Sequence, residues 1–328
     1  MQEEDEDQSD GLVFFKVSGV APTAFPYNSS SYANPTIVMP LAAVTLIAFI
    51  ANASLALYIF WHKLYHNFIS SHFIAHLCMT NMFGLGILMP MFLVNLWMGT
   101  NIWASTNAMC RLQTFLMCSE WAVIYFMTLC IAGVHLLTFA RIHYNQMFCL
   151  LPSHLCLLSW IVAFAISLPC LTNNHIVIYD PVLRHCMWGS SDYSYKFLTY
   201  LLILCVFIPS LLFYYAYIKV LKILYHSPIV FQSIGLYKSR FLVYAFLLGP
   251  FFQAPFFFVT MSGTWRFRPG SLTPILSMFL AYAPSLVSPL LYGLSLVQMK
   301  EEDMALTARA QKNMNAYQHV AHTPGHNL

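Results

Sequence analysis

Seven long apolar stretches, read at 36–61, 69–95, 108–139, 154–172, 196–225, 240–262 and 272–297, dominate the chain and fix what it can fold into. Each is close to or above the ~20 residues an α-helix needs to cross a ~30 Å hydrocarbon layer. Lipid offers a peptide group no hydrogen bond, so spans of this kind are helical. Composition excludes the alternatives. Charged residues are 8% and apolar residues 59%, whereas a soluble domain carries roughly 25% charged residues to wet its surface. The same apolar excess excludes a disordered chain. The expected fold is all-α: a seven-transmembrane helix bundle over 36–297, with an N-terminal tail at 1–35 and a C-terminal tail at 298–328.

The N-terminal tail is acidic, with Glu3, Glu4, Asp5, Glu6, Asp7 and Asp10 in its first ten residues. No basic stretch followed by a short apolar run stands there, so no cleaved signal peptide is expected. Asn28-Ser29-Ser30 is a glycosylation sequon. With the N-terminus outside and the C-terminus inside, nine Lys and Arg residues fall inside and six outside, in the sense of the positive-inside rule. The sequon then falls outside as well. A net charge of +3 gives no footing for nucleic acid. His62/His66 and His72/His76 share helix faces but gather no third type of ligand, so no metal site is expected of them. The halves of the chain show no internal repeat, which argues against a transporter. No phosphate-binding, nucleophile-elbow or zinc-protease motif occurs, and no enzyme is expected.

The segments carry landmarks in a definite order. Ala51-Asn52 lies in the first, and Leu77-Cys78-Met79-Thr80-Asn81 followed by Pro90 in the second. Trp103 precedes Cys110; Trp160 and Pro169 mark the fourth segment; Cys186 follows it. Pro209 and Tyr217 mark the fifth, Pro255 the sixth, and Ser288-Pro289-Leu290-Leu291-Tyr292 the seventh. Over roughly 36–305 the chain resembles a rhodopsin-like (class A) G-protein-coupled receptor. The departures are as specific. Family spacing from Cys110 puts the Asp-Arg-Tyr triplet at Val134-His135-Leu136; the Cys-Trp-x-Pro motif reads Phe252-Gln253-Ala254-Pro255; the second-helix Asp is Asn81, and the seventh-helix Asn is Ser288.

The resemblance implies a set of sites. Cys110 and Cys186 form the disulfide that ties the second outer loop to the third helix. Asn81, Glu120 and Ser288 form a central polar site. Glu120 is the one acid inside a segment, and an intramembrane carboxylate is a functional hypothesis by default. It either helps hold a sodium ion or stays protonated and donates to a neighbour. Met117, Trp121, Gln253, Phe256, Phe257 and Tyr282 are the ligand-pocket candidates. Met117 stands where amine receptors carry Asp, and Tyr282 where a retinal lysine would be sought, so neither ligand class fits. Arg184, His185, Arg266 and Arg268 read as a basic rim. His135, Tyr217, Pro289 and Tyr292 are the candidates for the cytoplasmic switch. His135 lacks the permanent charge and donor fork of arginine, and a histidine that merely reaches the interface is the plainer account of it.

The function the resemblance implies is a plasma-membrane receptor for an extracellular ligand, coupled to a heterotrimeric G protein and surrounded by membrane lipid. The segment after Tyr292, Gly293-Leu294-Ser295-Leu296 and then Lys300-Glu301-Glu302-Asp303, resembles odorant receptors. The altered switch residues keep a second reading open: a seven-helix binding or scaffold protein that does not couple to a G protein.

Overall fold

The computed structural model describes residues 35–99, 107–140, 142, 150–226, 250–268 and 271–321. Helix α1 runs Pro35–Trp61, α2 Ile69–Met98, α3 Asn107–Ala140 and α4 Pro152–Thr172. Helix α5 begins at Asp192 and reaches Tyr225; α6 is Pro250–Ser262. Helix α7 has two parts, Leu272–Ala281 and Ala283–Ala321. Among the described residues six helices are long and apolar enough to cross a membrane, and Phe251–Ser262 is a shorter apolar one. Residues 240–249 of the sixth expected segment lie outside the described residues. The seventh continues as helix to Ala321, through most of the stretch read as a tail.

The bundle is turned inside out relative to a soluble one. Helix α1 has no charged residue, yet exposes Met39, Leu46, Ile47, Ile50, Leu57 and Trp61. In water such a surface would aggregate; against lipid it is at no disadvantage. Helix α3 is the axis. It packs against α2, α4, α5 and the loop that follows α4, and 67% of its most apolar window is buried, against 33% for α1.

Prolines set the irregularities. A five-residue π turn at Gly84–Leu88 interrupts α2 just before Pro90, and a second at Leu202–Phe207 interrupts α5 just before Pro209. Proline cannot donate to the carbonyl four residues back, and an extra residue in the turn relieves the clash. Pro284 acts likewise on α7, which breaks at Tyr282 (φ −90°, ψ 0°). Gly99, at φ 75°, closes α2 in the left-handed conformation and donates to Asn95 O at 3.0 Å.

The all-helical expectation misses one element. Strands β1 (Val177–Asp180) and β2 (His185–Trp188) form an antiparallel hairpin, with Val177 opposite Trp188 and Asp180 opposite His185. Its local cause is Asp180, whose Oδ1 accepts from the N–H of Val182 at 2.8 Å and of Leu183 at 3.1 Å. An aspartate that binds the backbone two and three residues on makes the turn that folds the two strands together.

Candidate functional site

Cys110, in the first turn of α3, is bonded to Cys186 in β2, with Cα atoms 5.3 Å apart. Helix α3 grips the hairpin at two further points. Thr114 Oγ1 donates to Cys186 O at 2.8 Å, and Cys186 N donates to Gln113 Oε1 at 3.4 Å. All four residues of β2 are buried, while the two central residues of β1 face out. The hairpin therefore lies over the disulfide end of the bundle with β2 inward. Its exit is pinned too: Ser191 caps α5 by accepting from Ser194 N, and Ser194 Oγ donates to Ile176 O at 2.8 Å.

Four of the six pocket candidates meet beneath this cover. Trp121 of α3 lies edge-on to Phe256, Phe257 and Tyr282, with ring centres 5.3, 6.1 and 5.8 Å apart. Trp188 of β2 completes the group. It stacks on Phe257 at 5.8 Å with 10° between planes and meets Phe256 edge-on. Sequence reasoning missed Trp188, although it stands two residues after Cys186 and so must share that cysteine's side of the strand. Neither the Trp121 nor the Trp188 indole N–H finds an acceptor. Gln253 makes its hydrogen bonds with other residues: its Oε1 accepts from Tyr125 OH at 2.9 Å and its Nε2 donates to Ala281 O at 3.5 Å. Met117 is fully buried.

In the middle of the bundle the structure joins Asn81 and Ser288. Asn81 Nδ2 donates to Ser288 Oγ at 2.9 Å and to Asn52 Oδ1 at 3.0 Å. Asn52 Nδ2 in turn reaches Ser285 O at 2.9 Å, so the network ties α1, α2 and α7 together. Asn52, read only as a landmark, is its third member. Glu120 bonds to neither Asn81 nor Ser288. Its side chain is fully buried and fills the notch left by the missing side chain of Gly84, one turn along α2 from Asn81. Ser285 lies beside the carboxyl, but neither Glu120 oxygen reaches a partner in hydrogen-bonding geometry.

At the opposite end, α3 and α5 meet through a second apolar cluster of Tyr125, Ala132, Phe139, Phe213, Ala216 and Val220, with Tyr217 packed on it. His135 and Tyr292 are buried and Tyr217 is half-buried; Pro289 lies inside α7. A void of about 10 Å³ is bounded by Leu77, Ile124, Tyr125, Ser288 and Tyr292. The larger cavity, about 520 Å³, is a groove between α1 and α2 that opens past Leu46, Val94 and Trp97.

The basic rim is only partly a rim. Arg266 and Arg268 are exposed, but Arg184, in the hairpin's turn, and His185, the first residue of β2, are buried. His185 meets the Phe92 ring edge-on at 5.7 Å, and burial pushes its imidazole down to about 4. Asn28 lies outside the described residues, as does Trp103. Among the described residues no three His, Cys, Asp or Glu side chains gather to hold a metal. No protein-family model and no curated protein matches this chain.

Proposed function

We propose that this protein is a plasma-membrane receptor. Seven helices, with the N-terminus outside and the C-terminus inside, sense an extracellular ligand and pass the signal to a heterotrimeric G protein by rearranging. The observation that carries this reading is the aromatic cluster of Trp121, Trp188, Phe256, Phe257 and Tyr282 under a disulfide-held hairpin. Ligand sites are mostly apolar with a few placed polar groups. Two indole N–H groups without acceptors are such groups. A ligand seated there parts Trp188 from Phe257 and bears on α6 and α7, so its binding shifts the balance between two packings of those helices. Exposed Lys219 and Lys222 on α5 supply a basic surface for the G protein at the far end.

A sodium ion fits the central site by its donor chemistry. Both Glu120 oxygens, Asn81 Oδ1 and Ser285 Oγ are buried without partners, and all are oxygens, the ligands that hard cations take. The ion would supply the countercharge that an ionised Glu120 lacks. Glu120→Gln is expected to abolish sodium sensitivity of ligand binding; sensitivity that survives the change removes Glu120 from the ion's ligands.

His135, in place of the arginine at the end of α3, favours a second reading: a seven-helix binding or scaffold protein that does not couple. Basal second-messenger output in cells separates the two. As a receptor, the protein gives output above untransfected cells, and His135→Arg changes that output. Output at background for both forms supports the second reading.

A further inference from the structure

The turn of the hairpin holds a charge that no acid among the described residues neutralises. Arg184 sits at the corner before β2 with φ 53°, in the left-handed region that side chains with a Cβ seldom adopt. That conformation goes with a side chain turned inward: Arg184 is 3% exposed. Its Nη1 donates to Leu96 O at 3.2 Å, while Nε is buried without an acceptor. Arg184 pairs with no carboxylate among the described residues. Asp180, the acid of the hairpin, is engaged through Oδ1 by the turn itself. Since Leu96 occupies Nη1, the edge left open carries Nε and Nη2. That edge presents two parallel N–H groups at the spacing of the two oxygens of a carboxylate.

The surroundings are polar and also incomplete. Leu96, Phe92 and Asn95 share one face of α2, and all three are buried. His185 rests on Phe92, so Arg184 and His185 reach the same turn of α2. Asn95 is fully buried, and neither its amide nitrogen nor its oxygen has a partner. His185 Nδ1 is buried without a partner as well. A buried, unpaired guanidinium beside orphaned amide and imidazole atoms is strongly disfavoured unless something completes it.

We infer that Arg184, with Asn95 and His185 beside it, forms a binding site for a carboxylate group held side-on by the guanidinium fork beneath the hairpin. The carboxylate brings the missing negative charge and acceptors for both open N–H groups. The isosteric amide brings no charge, and a halide brings charge without a two-point contact. A free small carboxylate offers the group. The site goes beyond the receptor reading, since it requires neither coupling nor a given orientation, and its test reads binding alone.

The test is thermal unfolding of the purified full-length chain in detergent micelles at constant ionic strength. Sodium propionate and sodium benzoate are titrated, with propionamide and sodium chloride as controls. Ligand that binds only the folded state raises the midpoint in a saturable way. The expected result is a saturable rise with the carboxylates, none with propionamide, and a loss of about tenfold in apparent affinity in Arg184→Lys, which keeps the charge but not the fork. Asn95→Ala is expected to weaken the affinity as well. No saturable shift with the carboxylates, an equal shift with chloride, or an unchanged shift in both Arg184→Lys and Asn95→Ala overturns the inference.

Discussion

Gly84 owes its place in α2 to Glu120 on the neighbouring helix. A methyl group at position 84 would overlap Glu120 Oε1 and lie 2.8 Å from Cδ, so Gly84→Ala is expected to destabilise the fold by about 1–3 kcal/mol, as overpacking does. In the Glu120→Ala background the same change is expected to cost at least about 1 kcal/mol less, because the two sites couple. Unfolding of the four forms measures this, and strictly additive effects would contradict the contact. His185 gives the residue scale a pH signature. Its imidazole is held at about 4 against 6.5 for a free histidine, so between those values the unfolded chain binds the extra proton. Stability is full above pH ~6.5 and falls by on the order of 3 kcal/mol as pH drops toward 4. His185→Gln is expected to flatten the unfolding midpoint across that window; an unchanged slope would count against the burial of His185. The sequence displays the charge of Arg184 and His185 but not their burial, which depends on a turn made by Asp180. The Gly84-Leu85-Gly86 run inside an apolar helix was the available sign of a close approach.

At the scale of elements, the helices were legible because a span is fixed by length and apolarity alone. The hairpin was not. Its strands are four residues each, too short for a period to stand out, and the inward face of β2 is set by the Cys110–Cys186 bond rather than by local preference. That bond closes a loop of 76 residues, which by chain entropy stabilises by about 4 kcal/mol. Cys110→Ser and Cys186→Ser are expected to lower the unfolding midpoint equally, and the double variant no further. Both single variants are also expected to open residues 177–188 to proteolysis. A double variant clearly worse than either single one would mean that the cysteines contribute separately. The central polar site was half legible. Asn81 and Ser288 meet as the resemblance implies, but Glu120 lies against Gly84, at the start of the π turn before Pro90.

For the whole molecule, the receptor reading requires the N-terminal tail to lie outside. Glycosidase treatment is then expected to lower the apparent mass, and Asn28→Gln to abolish that shift; an unshifted wild-type band would remove the sequon as support for the orientation. The more direct question is how many times the chain crosses the bilayer. Among the described residues six helices meet the length of a span, whereas α6 is described over only 13 residues, about 20 Å of helix. An odd number of crossings needs α6 and the residues before it to form the seventh span. The deciding measurement is antibody access to tags at the two termini, in intact and in permeabilised cells. For a seven-helix receptor the N-terminal tag is expected to stain in intact cells and the C-terminal tag only after permeabilisation; both tags on the same side would contradict it.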